Sequence, residues 1–219
     1  MIVYFEALAC SGPVQVYVQN IELQNTANEL TSVDPSTRAF AAFRLGEAGS
    51  RSKRHIGALV KVLSDRDPRV RVEAAYAICR IDPSLAAGHV PVIAAEIKSD
   101  TSLARRTAII YLGRLGKVAD CAVQELSALI DLPEFYDRVL VAAAVMRIRP
   151  EIAGAKMESA LVSGLADDRF YVRTEALEGI ARGGRRFRDI RSKVAKLEGD
   201  EVESVRIAAR AALIAIDQD

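Results

Sequence analysis

"LVKVLSDRDPRVRVEAAYAICRID", residues 59–82, places two amphipathic segments on either side of a turn. At its front, Ile56, Leu59, Val60 and Leu63 follow the i, i+3, i+4, i+7 spacing of one helical face. At its back, Arg71, Ala74, Ile78 and Ile81 again share one face, at offsets of three, seven and ten from the arginine. Asp65-Arg66-Asp67-Pro68 lies between them, with an Asp suited to cap the second helix and a Pro suited to its first turn. The stretch reads as a helical hairpin.

The same pattern recurs along the chain. It reads Arg38-Ala41-Leu45-Ala48 before this copy, and Arg105-Ala108-Leu112-Leu115, Arg138-Val141-Val145-Ile148, Arg173-Ala176-Ile180-Gly183 and Arg206-Ala209-Leu213-Ile216 after it. The arginines are spaced by 33, 34, 33, 35 and 33 residues. So constant a period marks a stack of helix pairs, each covering the apolar face of its neighbour. An apolar residue ends the first helix of each pair: Leu30, Leu63, Ile97, Ile130, Leu165 and Leu197.

Composition agrees with helices. Half of the 219 residues are hydrophobic, aromatics make up only 5%, and there is no Trp, which disfavours a β-sandwich or barrel. The charge is nearly balanced at +1. Seven of the positive residues crowd into "ARGGRRFRDIRSKVAK", residues 181–196, leaving the rest mildly acidic, unlike the broad basic excess of a nucleic-acid binder. Cys10, Cys79 and Cys121 are widely separated and odd in number, which argues against a disulfide framework or a zinc site and favours the cytoplasm. The apolar N-terminus lacks a basic leader and is broken at Gly12-Pro13, so neither a signal peptide nor a membrane span is expected.

On these residues the chain resembles HEAT-repeat proteins, in particular the HEAT-like repeat type of the phycobilin lyases. The resemblance covers about residues 18–217 and implies an all-α, right-handed α-solenoid of six helix pairs. It also implies that the second helices line a concave face. In that family a turn Asp and the second-helix Arg form a ladder from repeat to repeat. Asp65, Asp167 and Asp200 match the Asp, six before their own arginines; Ser32, Ser99 and Leu132 depart from it, so the ladder should be incomplete. Residues 18–219 are expected to form one solenoid domain. Residues 1–17 lie outside the repeat and fit either a capping helix over Ile2–Cys10 or a small hairpin containing Val14–Val18.

Signatures of chemistry are scarce. His55 and His89 have no ligand-spaced partner, no phosphate-loop or nucleophile-elbow motif occurs, and Gly183-Gly184 reads as a turn. Repeated His-Glu pairs, which mark the related di-iron hydroxylases, are absent, as are the tryptophans expected of the related DNA glycosylases. No catalytic residue, cofactor or metal is assigned.

The face expected to be concave carries more information. Nine residues after each repeat arginine stand Glu47, Arg80, Arg114, Arg147, Arg182 and Ala215, which predicts a track of four arginines. Phe40, Phe43, Tyr76 and Tyr111 lie beside it, and exposed aromatics next to arginines suit a protein-binding surface. In the basic stretch, Arg185 and Arg186 fall in a turn and Arg188 and Lys193 point away from the apolar stripe of the next helix, and the four form a candidate basic rim. Ile207 and Ile214 lie off the main stripe of the last helix, facing either the preceding repeat or a second copy of the protein. The expected function is a protein-binding scaffold for an acidic partner, with self-association through the termini open. The alternative implied by the resemblance is a lyase-like role on a tetrapyrrole-bearing partner.

Overall fold

The computed structural model describes the backbone of residues 13–218 and the side chains of 20–218. Two compact units follow one another, the first ending at Ser84 and the second beginning at Leu85. The first holds α1 (Pro13–Glu29), α2 (Pro35–Glu47), α3 (Ile56–Lys61) and α4 (Pro68–Ile81). The second holds α5 (Ala86–Ala95), α6 (Ser102–Leu115), α7 (Val123–Ser127), α8 (Phe135–Ile148), α9 (Ala155–Gly164), α10 (Phe170–Gly183), α11 (Arg191–Lys196) and α12 (Glu203–Asp217). Odd and even helices form six pairs of the kind the repeat predicts, and no strand occurs among the described residues. The fold is all-α, of the repeat-solenoid class.

Val14–Val18, one of the two readings of the N-terminal segment, is not a strand: it is the first part of α1. Pro13 opens α1, where its missing N–H costs no bond. The capping helix over Ile2–Cys10 lies outside the described residues.

Core and caps follow the sequence pattern. In the first unit Ala41 and Leu45 of α2, Leu59 of α3, and Ala74, Ile78 and Ile81 of α4 are buried together with Leu30. In the second, Ala108, Leu112, Val141, Val145, Ala176, Ile180, Ala209 and Ile216 are buried at the equivalent positions. Asp34 caps α2 by accepting from the Ser36 and Thr37 amides, and Asp67 caps α4 through the Arg69 amide, each followed by Pro. The way out of the second helices alternates. Gly49, Gly116 and Gly184, at φ 57°, 56° and 51°, follow α2, α6 and α10, a backbone conformation that L side chains rarely adopt. After α4 and α8 the chain leaves instead through Asp82-Pro83 and Arg149-Pro150.

All six repeat arginines share one local role. The Nη1 of each donates to the backbone carbonyl six residues earlier: Arg38 to Ser32, Arg71 to Asp65, Arg105 to Ser99, Arg138 to Leu132, Arg173 to Asp167 and Arg206 to Asp200, at 2.7–2.9 Å. This clasp closes the turn between paired helices and satisfies carbonyls left without a helical partner. The remaining edge of the guanidinium can then reach the next pair. Arg38 grips Asp65 with Nε and Nη2 at 2.7 Å each, and Arg173 grips Asp200 at 2.8 and 2.9 Å.

The ladder departs from expectation in two places. Leu132 offers no carboxylate to Arg105, and Asp137 takes over from the first turn of α8, accepting from Arg105 at 3.1 and 3.3 Å and also from Arg106. Asp137 is fully buried, so both guanidinium groups are needed to offset its desolvation. Asp167 has the expected position but is held by Arg169, through its amide at 3.0 Å and its guanidinium at 2.8 and 2.9 Å.

Asp137→Ala should lower stability by about 3–5 kcal/mol, the usual cost of stranding buried charge. Glu125→Ala, which breaks only the exposed pair with Lys98, should change it by less than about 1 kcal/mol. Urea titrations of the two variants check this contrast. The bonds from Arg38 and Arg173 also hold the carboxyls of Asp65 and Asp200 below the ordinary carboxylate range. Their contribution is therefore fully present above about pH 4 and lost as pH falls through the lower folded values. The difference in urea midpoint between the parent and Asp65→Asn/Asp200→Asn should stay constant from neutrality to about pH 4 and shrink below it.

Candidate partner-binding face

The second helices place the aromatic and arginine positions at fixed turns. In the first unit, Phe40 and Phe43 stand one turn apart on α2 with stacked rings, centroids 6.2 Å apart and planes at 22°. They are 58% and 39% exposed, while Ala41, Ala42 and Leu45 on the opposite face are buried. Tyr76, at the position on α4 that Phe43 has on α2, is half-buried. Arg80 is ion-paired with Glu47. Both occupy the same slot of successive repeats, so one repeat's acid neutralises the next repeat's base.

In the second unit the arginine track divides. Arg114 is exposed, its guanidinium 5.9 Å from the ring centre of Tyr111. Tyr111 itself is buried at 6% exposure and does not offer its ring to solvent. Arg147 was expected to be an exposed cation, but its side chain is only 11% exposed and is clamped by Glu175 and Glu178 of α10. Arg182 is exposed and lines a recess of about 300 Å³ with Arg147, Glu178, Ala181, Ala208 and Ala211.

The basic stretch is partly internal. Arg185 donates to the Gln218 carbonyl at 2.9 Å. Arg186 donates to the Pro150 carbonyl, to the Ala153 carbonyl at 2.6 Å and to Glu158 at 2.6 Å. Arg191 holds Asp217 through two bonds of 2.7 Å. Of the four rim residues, Arg185 and Arg186 are thus tied into the fold, while Arg188 and Lys193 are exposed. Ile207 and Ile214 are 57% and 61% exposed, so they do not face the preceding repeat.

One cluster escaped the sequence reading. Tyr136 and Tyr171 begin α8 and α10 and meet edge to face at 5.1 Å, and Phe170 meets Tyr171 at 5.7 Å. The Arg106 guanidinium lies 5.3 Å from the Tyr136 ring centre, and that of Arg169 lies 5.8 Å from both tyrosines. Burial, then the nearby Glu175 charge, pushes the Tyr136 phenol up. Phe170 and Tyr171 are 47% and 42% exposed, so the cluster opens to solvent. The signal was present in the sequence: Phe-Tyr-X-Arg occurs at 135–138 and again at 170–173.

Both histidines have structural surroundings. His55 is buried, and its Nε2 accepts from Arg54 at 3.0 Å; burial and then the Arg54 charge lower its pKa. The His89 ring nitrogen lies 2.9 Å from the Leu85 carbonyl. Cys79 is buried, which raises its thiol pKa to about 11, and Cys121 is exposed. Cys10 lies outside the described residues. Among the described residues no group of His, Cys, Asp and Glu is arranged to hold a metal, and no helix is long and apolar enough to cross a membrane.

A sequence profile of HEAT repeats matches residues 23–87 and 58–147, together more than half of the chain. A search of curated proteins found no match. Among solved structures, an engineered protein is similar at 23% identity and TM-score 0.59, over 89% of this chain and 96% of that one. A designed armadillo repeat protein is similar at 20% identity and TM-score 0.58, over 89% and 100% of the two chains. A computationally designed armadillo repeat protein for modular peptide recognition follows at 20% identity and TM-score 0.54, over 89% and 100%. At these identities the likeness concerns the fold. The phycobilin-lyase alternative finds no support in these matches.

The track arginines should separate by stability. Arg147→Ala leaves the largely buried Glu175 carboxylate without its partner and should cost about 2–4 kcal/mol, whereas Arg182→Ala should change stability by less than about 0.5 kcal/mol. Chemical denaturation of the two variants reads the difference.

Proposed function

Because the chain belongs to the HEAT-repeat family, we propose that it binds a partner protein through exposed aromatic side chains on its second helices, with exposed arginines pairing acidic groups of that partner. The observation that carries this reading is the Phe40–Phe43 pair, two stacked rings turned to solvent on a helix whose opposite face is buried. Leaving such rings in water is unfavourable unless something covers them. Phe170 and Tyr171 supply a second exposed aromatic patch, stiffened by Arg169.

The acidic character of the partner rests on Arg114, Arg182, Arg188 and Lys193, which are exposed and have no acidic side chain within bonding distance among the described residues. Arg147 and Arg186 belong to the framework and take no part. In this reading Arg80 contributes only if a partner's carboxylate displaces Glu47. Self-association through Ile207 and Ile214 is a second reading, favoured by their exposure on α12. One structural relative carries the description of a design for modular peptide recognition, which fits the protein-binding reading without naming a partner.

A photoreactive phenylalanine analogue at Phe43 should crosslink one discrete protein in cells of the source organism, and the same analogue at Val60 on α3 should not. Phe40→Ala/Phe43→Ala should weaken retention of that protein at least tenfold with little change in folding. Equal crosslinking from both positions would count against the second-helix face.

A further inference from the structure

We propose that a recess between α9, the first turn of α8 and the turn at residues 130–131 is a binding site for a carboxylate carried on an apolar body. The recess has a volume of about 480 Å³ and is lined by Ile130, Asp131, Phe135, Arg138, Ala155, Lys156, Ser159, Ala160 and Ser163. That volume suits one small ligand or one or two peptide residues. The site does not use Phe40, Phe43, Phe170 or Tyr171, because its residues come from α9, the turn at 130–131 and the first turn of α8.

Arg138 carries the argument. Its Nη1 makes the same clasp as in every other repeat, to the carbonyls of Leu132 at 2.8 Å and Pro133 at 2.9 Å. The other edge differs. In Arg173 the Nε and Nη2 pair grips the Asp200 carboxylate, and in Arg105 it grips Asp137. The acid at the corresponding position for Arg138 is Asp167, and Asp167 is bound to Arg169. No described side chain bonds to the Nε and Nη2 of Arg138. Arg138 thus keeps a two-donor edge of the kind that receives a planar carboxylate elsewhere in this chain, and Arg138 is one of the residues that line the recess.

The surroundings fit the same ligand. The Arg138 guanidinium lies 5.4 Å from the ring centre of Phe135, and Phe135 with Ile130, Ala155 and Ala160 supplies the apolar part of the lining. Lys156 lines the recess in an exposed pair with Asp131, at 2.7 and 2.8 Å, so the lining has a net charge of one positive unit. Ser159 and Ser163 add hydroxyl donors on the exposed side of α9. Small residues on that side leave room for a ligand.

The test is amide NMR of the whole chain titrated with two probes, sodium hexanoate for a free acid and N-acetyl-leucyl-leucine for a chain terminus, with hexanamide and the peptide amide as controls. Saturable shifts should fall on Ala155–Gly164 and the first turn of α8, with the amides at least tenfold weaker. Tighter binding of the peptide assigns a partner's C-terminus; tighter binding of hexanoate assigns a small acid. Arg138→Gln should weaken binding at least tenfold. Since that change also loosens the clasp, Ser159→Leu/Ser163→Leu, at exposed positions that leave Arg138 untouched, should do the same by filling the recess. Equal binding of acids and amides, no saturable shifts at millimolar probe, or unchanged affinity in the folded serine double variant would each overturn the proposal.

Discussion

The hydrogen bond from a second-helix arginine to the carbonyl six residues before it is the constraint on which the structure rests. Paired helices leave orphan carbonyls at the end of the first helix and in the turn, and an unsatisfied buried carbonyl is costly. A guanidinium offers several donors in a rigid fork, so one edge can close its own turn while the other reaches the next repeat. Because the local acceptor is backbone, the clasp tolerates any residue at the turn. Leu132 and Ser99 serve as well as Asp65.

The second edge is where the repeats differ. Asp65 and Asp200 complete the bridge from the turn, and Asp137 completes it from a neighbouring helix. Asp167 is drawn away by Arg169, whose guanidinium also lies against Tyr136 and Tyr171. The Arg169–Asp167 contact therefore has two consequences: it places Arg169 against an aromatic cluster on one side and leaves the Arg138 fork without a carboxylate on the other. Where a framework is built from a repeated interaction, its irregularities mark the places where another chemistry has room.

The same logic sorts the basic residues. Arg147, Arg186 and Arg191 are bound to carboxylates or carbonyls of neighbouring elements, and Arg182, Arg188 and Lys193 are not. A charge already satisfied within the fold must lose that partner before it can serve another, so the exposed residues are the ones open to an acidic surface. The apparent excess of charge at 181–196 is in good part the fastening of the last two helix pairs.

The sequence by itself determined the helix pairs, their period, the buried stripe and the phase of the six arginines, because each depends on spacings within one repeat. A stripe at three, seven and ten, a cap beside a proline and a carbonyl six residues away are all local facts. Only the tertiary structure decided which arginines are free, since their partners lie on other repeats: Glu175 and Glu178 are 28 and 31 residues from Arg147, and Asp137 is 32 from Arg105. It also decided that Tyr111 is buried while Phe40 is not, although both lie beside the arginine track in sequence. Helical periodicity fixes the direction in which a side chain leaves its own helix. What meets it there is set by the helix packed alongside.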